Sequence, residues 1–332
     1  MITKRFSINN FPKEQVQQLL SKLYPIPQFR PKVECESYHE VFFKTWICVF
    51  DEDNCLGKIA LFQNPQIEEL DSKTLLAGYF DSINSLDVMI FLTLEMAKFC
   101  TENGFSKIIG PLNATTWDSY RLLKHPQAIP FFLDVLHPAY YHALWENCGW
   151  QISDSYHSTE AEVAVISSEI DSELSFHNKE IEIKQFDLAH FEEEIRSIYD
   201  LCLISFKNNR YYSPIGFQDF LEKYQKAKAF IIPEFVLVAK HKNQTVGFIF
   251  CIPDLLNPQR NRLIIKTLAI LPNAEYRGLG SFLTRMIYLK ATGKFDTMIH
   301  ALMYDSNTSA HILAKHHTTI QQYSLFQWKI GV

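Results

Sequence analysis

The chain contains few glycines and prolines, and it has no continuous apolar run of membrane-spanning length. Its 332 residues include 11 glycines and 14 prolines, and charged residues make up 21%. A fibrous repeat and a long disordered chain are therefore excluded, because both depart strongly from such a composition. No run approaches the roughly 18 apolar residues that a transmembrane helix needs. A globular protein of two similar-sized domains is expected from this length.

The cysteines are scattered, and no Cys-x-x-Cys pair occurs. There are seven, at positions 35, 48, 55, 100, 148, 202 and 251. An odd number of scattered thiols is typical of a reducing compartment and does not indicate a disulfide or zinc framework. The first residues, MITKRFSINNFPKEQ, lack the apolar centre of a signal peptide. We therefore expect a cytoplasmic protein.

Several catalytic motifs are also missing. The sequence has no Gly-x-x-x-x-Gly-Lys-Ser/Thr, no His-Glu-x-x-His and no Gly-x-Ser-x-Gly, which excludes P-loop phosphotransferases, zinc proteases of that type and serine hydrolases of that type. No metal is expected at His311, His316 and His317, which show no helical i,i+4 pairing and have no neighbouring cysteine.

Charge is distributed unevenly along the chain, although the net charge is only −5. Basic minus acidic residues give 16 − 30 = −14 for residues 1–200 and 16 − 7 = +9 for residues 201–332. The basic second part suits a polyanionic ligand, either a phosphorylated cofactor or RNA. Solvated lysines and arginines on helix faces would explain the same excess without a ligand.

Strand and helix patterns follow nearly the same order twice. Residues 167–180 are polar and aperiodic, so they are the predicted linker between a first domain of residues 1–166 and a second of residues 181–332. The repeated order predicts an internal duplication in an α/β fold with mixed sheets. Local signals predict a helix ending at Gly104, a hairpin turn at residues 242–244, a strand over residues 155–166 and helices over residues 282–294 and 307–317.

The most specific pattern is a glycine-bearing loop, Arg277-Gly278-Leu279-Gly280, between a strand and a helix. The start of a helix presents unpaired backbone N–H groups and the positive end of the helix dipole. Gly278 and Gly280 allow close backbone approach, and Arg277 adds a permanent positive charge. The loop therefore predicts an anion-binding site.

The stretch LAILPNAEYRGLGSFL resembles the coenzyme A signature of the GNAT acyltransferase superfamily, which is Gln or Arg, two residues, Gly, one residue, and Gly or Ala. Here Phe282 stands at the last, normally small position. The resemblance implies two tandem GNAT-like domains and acetyl-CoA (coenzyme A) as cofactor. The cofactor-binding residues that it implies are Leu268, Ala269, Ile270, Arg277, Gly278, Leu279, Gly280, Ser281 and Asn307.

The stretch SNTSAHILAKH is similar to the last helix of that family, whose usual tyrosine would fall at Ala314. Tyr304 or Tyr323 would then take its place in protonating the leaving thiolate, or water would do so. Glu275 and His300 are the candidate general bases. Each also has a structural interpretation, since tyrosines pack on sheets and a lone strand histidine is often a core residue.

The first half resembles a degenerate second copy. Its loop in LLAGYFDSINSLDVMIFL has no arginine and no glycine pair, so we expect no coenzyme A there. The stretches GPLNATTWDSY and PAYYHALWENCGW resemble tandem GNAT-like bacterial proteins, which implies that Pro111, Asn113, Thr115, Tyr140 and Tyr141 face the cleft between domains. A capped turn and an interdomain aromatic core would explain them equally well. The remaining predicted acceptor-side residues are Asn208, Tyr211 and Tyr212.

The leading hypothesis is an N-acetyltransferase whose acceptor is a small-molecule or peptide amine that attacks the thioester directly. Aminoacyl transfer from tRNA is an alternative, because peptidoglycan aminoacyltransferases also have tandem GNAT-like folds. A catalytically inactive coenzyme A-binding protein is another. A membrane is not an expected partner, and nucleic acid is less favoured than a small molecule.

Overall fold

The computed structural model describes residues 1–125, 130–171, 173–305 and 314–331. The elements of the first half are β1 (Ile2–Phe6), α1 (Lys13–Leu23), β2 (Phe43–Asp51), β3 (Asn54–Phe62), β4 (Thr74–Ser82), α2 (Leu86–Asn103), β5 (Lys107–Gly110), β6 (Leu122–Leu123), α3 (Tyr141–Asn147) and β7 (Gln151–Glu162). Those that follow are α4 (Val163–Ser168), β8 (Ile181–Gln185), α5 (Phe191–Ser205), α6 (Phe217–Ala227), β9 (Val236–His241), β10 (Gln244–Pro253), β11 (Arg262–Ile270), α7 (Leu279–Ala291), β12 (Thr297–Tyr304) and β13 (Thr318–Lys329).

Local sequence signals account for several of these boundaries. Helix α2 begins where the Ser85 hydroxyl accepts a hydrogen bond from the Val88 N–H, and it ends at Gly104, whose φ of 75° only glycine adopts readily. The β9–β10 hairpin turns through Lys242 and Asn243, both with positive φ, as a tight two-residue turn requires. The predicted helix end and the predicted hairpin turn are both confirmed.

Two predicted elements have different bounds. The strand predicted to reach residue 166 ends at Glu162, and the next residues form helix α4, in which Val163 and Ile166, three positions apart, are both buried against the cluster that includes α7. Burial of these two side chains in the folded protein therefore overrides the β-propensity of the β-branched residues at positions 163–166. Helix α7 begins at Leu279, three residues earlier than predicted. The helix predicted over residues 307–317 lies largely outside the described residues.

All the strands in the described part of the chain belong to one sheet. Its order is β1-β2-β3-β4-β5-β13-β7-β12-β11-β10-β9-β8, with β6 paired to β13. The last strand of each half lies among strands of the other half, since β13 sits between β5 and β7, while β7 sits between β13 and β12. The two halves are thus joined by reciprocal strand exchange. The predicted domain boundary at residues 167–180 stays a prediction, and the described strands on either side of it lie in one continuous sheet.

Helices cover both faces of the sheet and bury four apolar clusters. Helix α1 packs on one face of the first half and α2 with α3 on the other, while α5 with α6 and α4 with α7 cover the two faces of the second half. In the part of the chain that the structure describes, no helix is long and apolar enough to cross a membrane. The architecture is a mixed α/β sheet that continues through both halves.

Candidate functional site

The parallel strands β11 and β12 separate partway along their length. They are paired as far as Ile265, opposite His300, although β11 continues to Ile270. The register of β11 against β10 shifts between Ile265 and Thr267, so Lys266 is the extra residue of a β-bulge. Because a bulge bends its strand and disrupts the ladder, the edge of β11 that faces β12 opens from Lys266 onward.

The opening holds a cavity of 70 Å³. Leu268 lines one side, His300 and Met303 line the other, and Lys266 stands at the point where the strands part. Lys266 is half-buried, and its Nζ donates a hydrogen bond to the Leu133 carbonyl at 2.9 Å. Burial lowers the pKa of Lys266 to about 8, and the Arg121 charge adds to the effect. A cleft with a titratable amine therefore lies between the strands.

The helix that follows β11 begins without a side-chain cap. Its N-cap residue, Gly278, has a φ of 86°, and its first turn contains no acidic residue. Arg277 is exposed, and in the described ranges no hydrogen bond or ion pair engages its guanidinium group. Free N–H groups, the helix dipole and an unengaged arginine thus meet at one point, which is the arrangement that binds phosphates.

Gly280 is not required by the protein's own packing. A Cβ atom built there would lie 3.5 Å from side-chain atoms of Leu268 and Ile270, which is ordinary van der Waals contact. Its φ is not in the left-handed region. A glycine that neither packing nor backbone conformation demands is consistent with close approach by a ligand.

The corresponding helix of the first half differs at its start. Helix α2 follows β4 after three residues, Ser85 caps it, and Asp87 lies in its first turn. A capped end with a carboxylate repels an anion. The β4–β5 ladder ends at Leu76, opposite Ile109, but the residues after β5 stay bonded to β4. The Leu112 N–H donates to the Ala77 carbonyl at 2.7 Å, and the Tyr79 N–H donates to Asn113 Oδ1 at 2.6 Å. The described part of the first half therefore has neither the anion site nor a strand pair that opens as β11 and β12 do.

The predicted cofactor residues lie close together along the loop and strand. Leu279 is fully buried beneath the loop, Ser281 is half-buried in the first turn of α7 and Ala269 is buried on the α5 side of the sheet. Asn307 lies outside the described residues. Phe282 is half-buried and tilted against Phe176, with the ring centroids 5.6 Å apart. These roles stay predictions.

The predicted catalytic residues divide between two places. His300 is buried in the cavity wall, where Tyr288 contacts its Nε2 at 3.1 Å, and burial holds its pKa well below the usual value. Glu275 lies on the outer surface, where its carboxylate accepts a hydrogen bond from Asn178 at 2.9 Å. The structure therefore brings His300, but not Glu275, to the opened strands.

Both candidate tyrosines lie where the two halves meet. The Tyr323 hydroxyl, which is buried, donates to Asp134 at 2.8 Å, and burial raises the pKa of Tyr323. Tyr304, at the end of β12, packs against Tyr156 with a centroid distance of 5.2 Å and reaches Asp154 at 3.4 Å. Which of them, if either, protonates a thiolate stays a prediction.

The predicted acceptor residues line two separate cavities or are fully buried. Asn113 and Tyr141 line a cavity of 230 Å³ in the cleft of the first half. Asn208 and Tyr212 line a cavity of 440 Å³ between the loops at residues 66–69 and 207–214. Tyr211 is buried, and its hydroxyl donates to Asp154 at 2.5 Å.

The other acceptor-side predictions fall in the first half. Pro111 also lines the 230 Å³ cavity. Thr115 is buried beside His39, and the Tyr140 hydroxyl donates to the Ser82 carbonyl at 2.8 Å. No single pocket therefore unites the predicted set.

Two residues at the junction were not predicted. Lys266 had a detectable signal, because it is the one charged residue in the apolar run at positions 263–270. Arg121 had no such signal, because no motif or unusual composition surrounds it in the sequence. It is only 4% exposed, its guanidinium carbon lies 3.9 Å from the Tyr120 ring centroid and 4.4 Å from that of Tyr156, and its Nη1 donates to the Leu302 carbonyl at 3.4 Å.

Comparison with solved structures identifies the fold. A tandem GNAT protein from the clavulanic acid biosynthesis pathway is 10% identical, with 100% of this chain and 99% of that chain covered at a TM-score of 0.55. A GCN5-related N-acetyltransferase from Anabaena variabilis is 10% identical, with coverage of 98% and 72% and a TM-score of 0.57. Eis1 from Mycobacterium abscessus is 9% identical, with coverage of 100% and 74% and a TM-score of 0.53.

The chain therefore has the GNAT fold in a tandem arrangement. No protein-family model matches the sequence, and no curated protein matches it significantly. Because the sequence identities are only 9–10%, this similarity establishes the fold, and the function has to be argued from the residues of the site.

Proposed function

We propose that the C-terminal half binds a coenzyme A thioester and that the protein transfers its acyl group to an amine. The observation that carries this proposal is the uncapped start of α7, with Gly278 at a φ of 86°, beside the opened β11–β12 pair. The contrast with α2, whose start is capped by Ser85, supports one cofactor site per chain, in the second half.

The residues present fit such a ligand. The first N–H groups of α7 and the Arg277 guanidinium would bind the pyrophosphate. Gly280 leaves room for it, because it adds no side chain at the helix start, where a Cβ would lie 3.5 Å from Leu268 and Ile270. The open edge of β11 from Lys266 to Ile270 offers backbone groups to the amides of the pantetheine arm.

Bound acyl-CoA would supply an activated thioester carbonyl. The amine nitrogen then bonds to the carbonyl carbon, the carbon–sulfur bond breaks and the free thiol leaves. Lys266, in its neutral form, would accept the proton that the amine loses, because it stands where the strands part and its pKa is near 8. Tyr304 or Tyr323 would return a proton to the thiolate.

Isothermal calorimetry with acetyl-CoA tests the cofactor site. Replacing Arg277 by alanine removes one charge-assisted contact, so we expect affinity about tenfold lower, in line with roughly 1.5 kcal/mol for such a bond. Arg260→Ala is the matched control, because Arg260 is also an exposed arginine in a loop next to β11. Equal binding by the two variants, or no binding by the wild-type protein, would contradict the proposal.

Thiol release from acetyl-CoA in the presence of a panel of amines tests transfer. We expect acceptor-dependent release that fails in Arg277→Ala at low acetyl-CoA and recovers as acetyl-CoA is raised, because that substitution weakens cofactor binding. Tight binding of acetyl-CoA without release from any amine would leave a coenzyme A-binding protein and refute the transferase.

A further inference from the structure

The junction of the two halves contains a buried arginine without a carboxylate partner. Arg121 is 4% exposed, and in the described ranges no aspartate or glutamate lies within ion-pair distance of it. Its Nε is buried and has no hydrogen-bond partner there. A buried charge that lacks a counter-charge is strongly unfavourable. Three tyrosine rings surround the guanidinium group, but Nε still lacks an acceptor, so Arg121 can bind an anionic ligand.

Arg121 faces the 230 Å³ cavity of the first half. At about 30 Å³ per water molecule, this volume corresponds to roughly eight waters, which is the space of a small metabolite. Among the described residues that line this cavity, the other lysines and carboxylates are each in an ion pair, so Arg121 is the one cation there without an ion pair. The pairs are Lys58 with Asp81, Lys32 with Glu36, and Lys223 with Asp118.

The Asp134 carboxylate lies near Arg121 but beyond ion-pair distance, and the residues that follow it, Val135 to His137, line the 230 Å³ cavity. Asp134 Oδ1 accepts hydrogen bonds from the Tyr323 hydroxyl and the Val135 N–H, each at 2.8 Å, but Oδ2 is buried without a partner in the described chain. The ring of the same Tyr323 lies 5.5 Å from the Arg121 guanidinium carbon. The unpaired Nε of Arg121 and the unpaired Oδ2 of Asp134 thus belong to two groups of opposite charge that both contact Tyr323.

These groups adjoin the opened strands. Arg121 donates to the Leu302 carbonyl, and the residues on either side of Leu302, Ala301 and Met303, line the 70 Å³ cavity. Lys266, on the opposite wall, bonds to Leu133, the neighbour of Asp134. A molecule held between Arg121 and Asp134 would therefore lie at the inner end of the cleft between β11 and β12.

We infer that Arg121 and Asp134 bind the carboxylate and the amino group of the acceptor, which makes the acceptor a small amino-acid-like molecule. The free guanidinium N–H meets the carboxylate, and the free carboxylate oxygen meets the ammonium. The inference names the substrate class of the acyl transfer proposed above and rests on that proposal, but the binding itself needs no acyl donor.

The test measures binding to the full-length protein without acetyl-CoA. The probes are the twenty common amino acids, their carboxamides, which lack the carboxylate, and their deaminated acids, which lack the amine. We expect one or a few amino acids to raise the unfolding midpoint by about 2 °C or more and to bind at least tenfold more tightly than either analogue by calorimetry. Equal effects of amino acids and carboxamides, or no effect of any amino acid, would overturn the inference.

Substitutions assign the two ends of the ligand. In Arg121→Met the preference for the amino acid over its carboxamide should fall to about one, and in Asp134→Asn the preference over the deaminated acid should fall likewise. Arg121→Lys keeps the charge without the planar fork, so intermediate binding is expected, which provides a readout if Arg121→Met fails to fold. Arg260→Met is the control and should bind as the wild-type protein does.

Two further outcomes separate this inference from the transferase. Amino acid binding without acetyl-CoA binding would support the acceptor site and refute the acyl transfer. Acetyl-CoA cleavage that proceeds equally well with amines lacking a carboxylate would support acyl transfer and overturn the acceptor site. Inorganic phosphate that binds as tightly as the best amino acid and competes with it would also overturn the inference, since it would show a general anion site.

Discussion

Replacing Gly280 by alanine should separate cofactor binding from stability. The added Cβ meets Leu268 and Ile270 at 3.5 Å, without a clash, and position 280 lies in the first turn of α7. Alanine in a helix is more stable than glycine by about 0.5–1 kcal/mol. The unfolding midpoint should therefore stay unchanged or rise by roughly 1–3 °C.

Acetyl-CoA affinity should fall in the same variant. The methyl group would occupy the space into which the pyrophosphate must come to reach the helix N–H groups. Loss of one charge-assisted hydrogen bond costs about 1.5–3 kcal/mol, which corresponds to a Kd roughly 10- to 150-fold higher. Calorimetry and thermal unfolding on one preparation measure both effects.

Gly293 offers the converse control. It follows α7 with a φ of 73° and has open space where a Cβ would be built, so Gly293→Ala forces a left-handed alanine and should cost about 1 kcal/mol. The 13-residue helix puts it about 20 Å from the loop, and binding should not change. If Gly280→Ala binds acetyl-CoA as tightly as Gly293→Ala does, the loop does not hold the pyrophosphate.

Two other predictions concern buried charges. If Lys266 is the base, the pH profile of kcat/KM for thiol release should contain a rise near pH 8 as its neutral amine forms, in addition to the rise from deprotonation of the acceptor amine. Lys266→Arg, which cannot lose its proton, should remove the first rise and leave the second; an unchanged pH profile would exclude Lys266. Asp254→Ala should lower the free energy of unfolding in urea by about 3–5 kcal/mol, because it removes the carboxylate that pairs with the buried Arg262 at 2.5 Å. The variant Asp53→Ala, at an exposed position in the β2–β3 turn, should not change it measurably, and an equally small effect of Asp254→Ala would show that Arg262 needs no partner.

Under the proposed function, the strand exchange would let the half without a cofactor site contribute to the acceptor side. Strand β7 of the first half pairs with β12, next to the opened cleft, and β13 returns to pair with β5. Two residues of the first half contact the strands of the second half, since Arg121 donates to the Leu302 carbonyl of β12 and Asp134 accepts from the Tyr323 hydroxyl of β13. The degenerate copy supplies the acceptor side under this proposal.

Much of the proposed cofactor site follows from local sequence. A glycine-bearing loop before a helix specifies an anion site wherever the helix packs, because the free N–H groups and the dipole belong to the helix itself. The hairpin at Lys242 and the helix end at Gly104 are local in the same sense, since each depends on the backbone freedom of one or two residues. The repeated order of elements likewise predicted the α/β fold.

Tertiary structure alone determines the proposed acceptor side. The pairing of β13 with β5 joins residues more than 200 positions apart, and no local propensity encodes such a register. Arg121 is an ordinary arginine in the sequence, and it becomes a candidate binding residue only because folding buries it among tyrosines without a counter-charge. Lys266 was visible as a charge in an apolar strand, but its role depends on a bulge that only its pairing with β10 reveals.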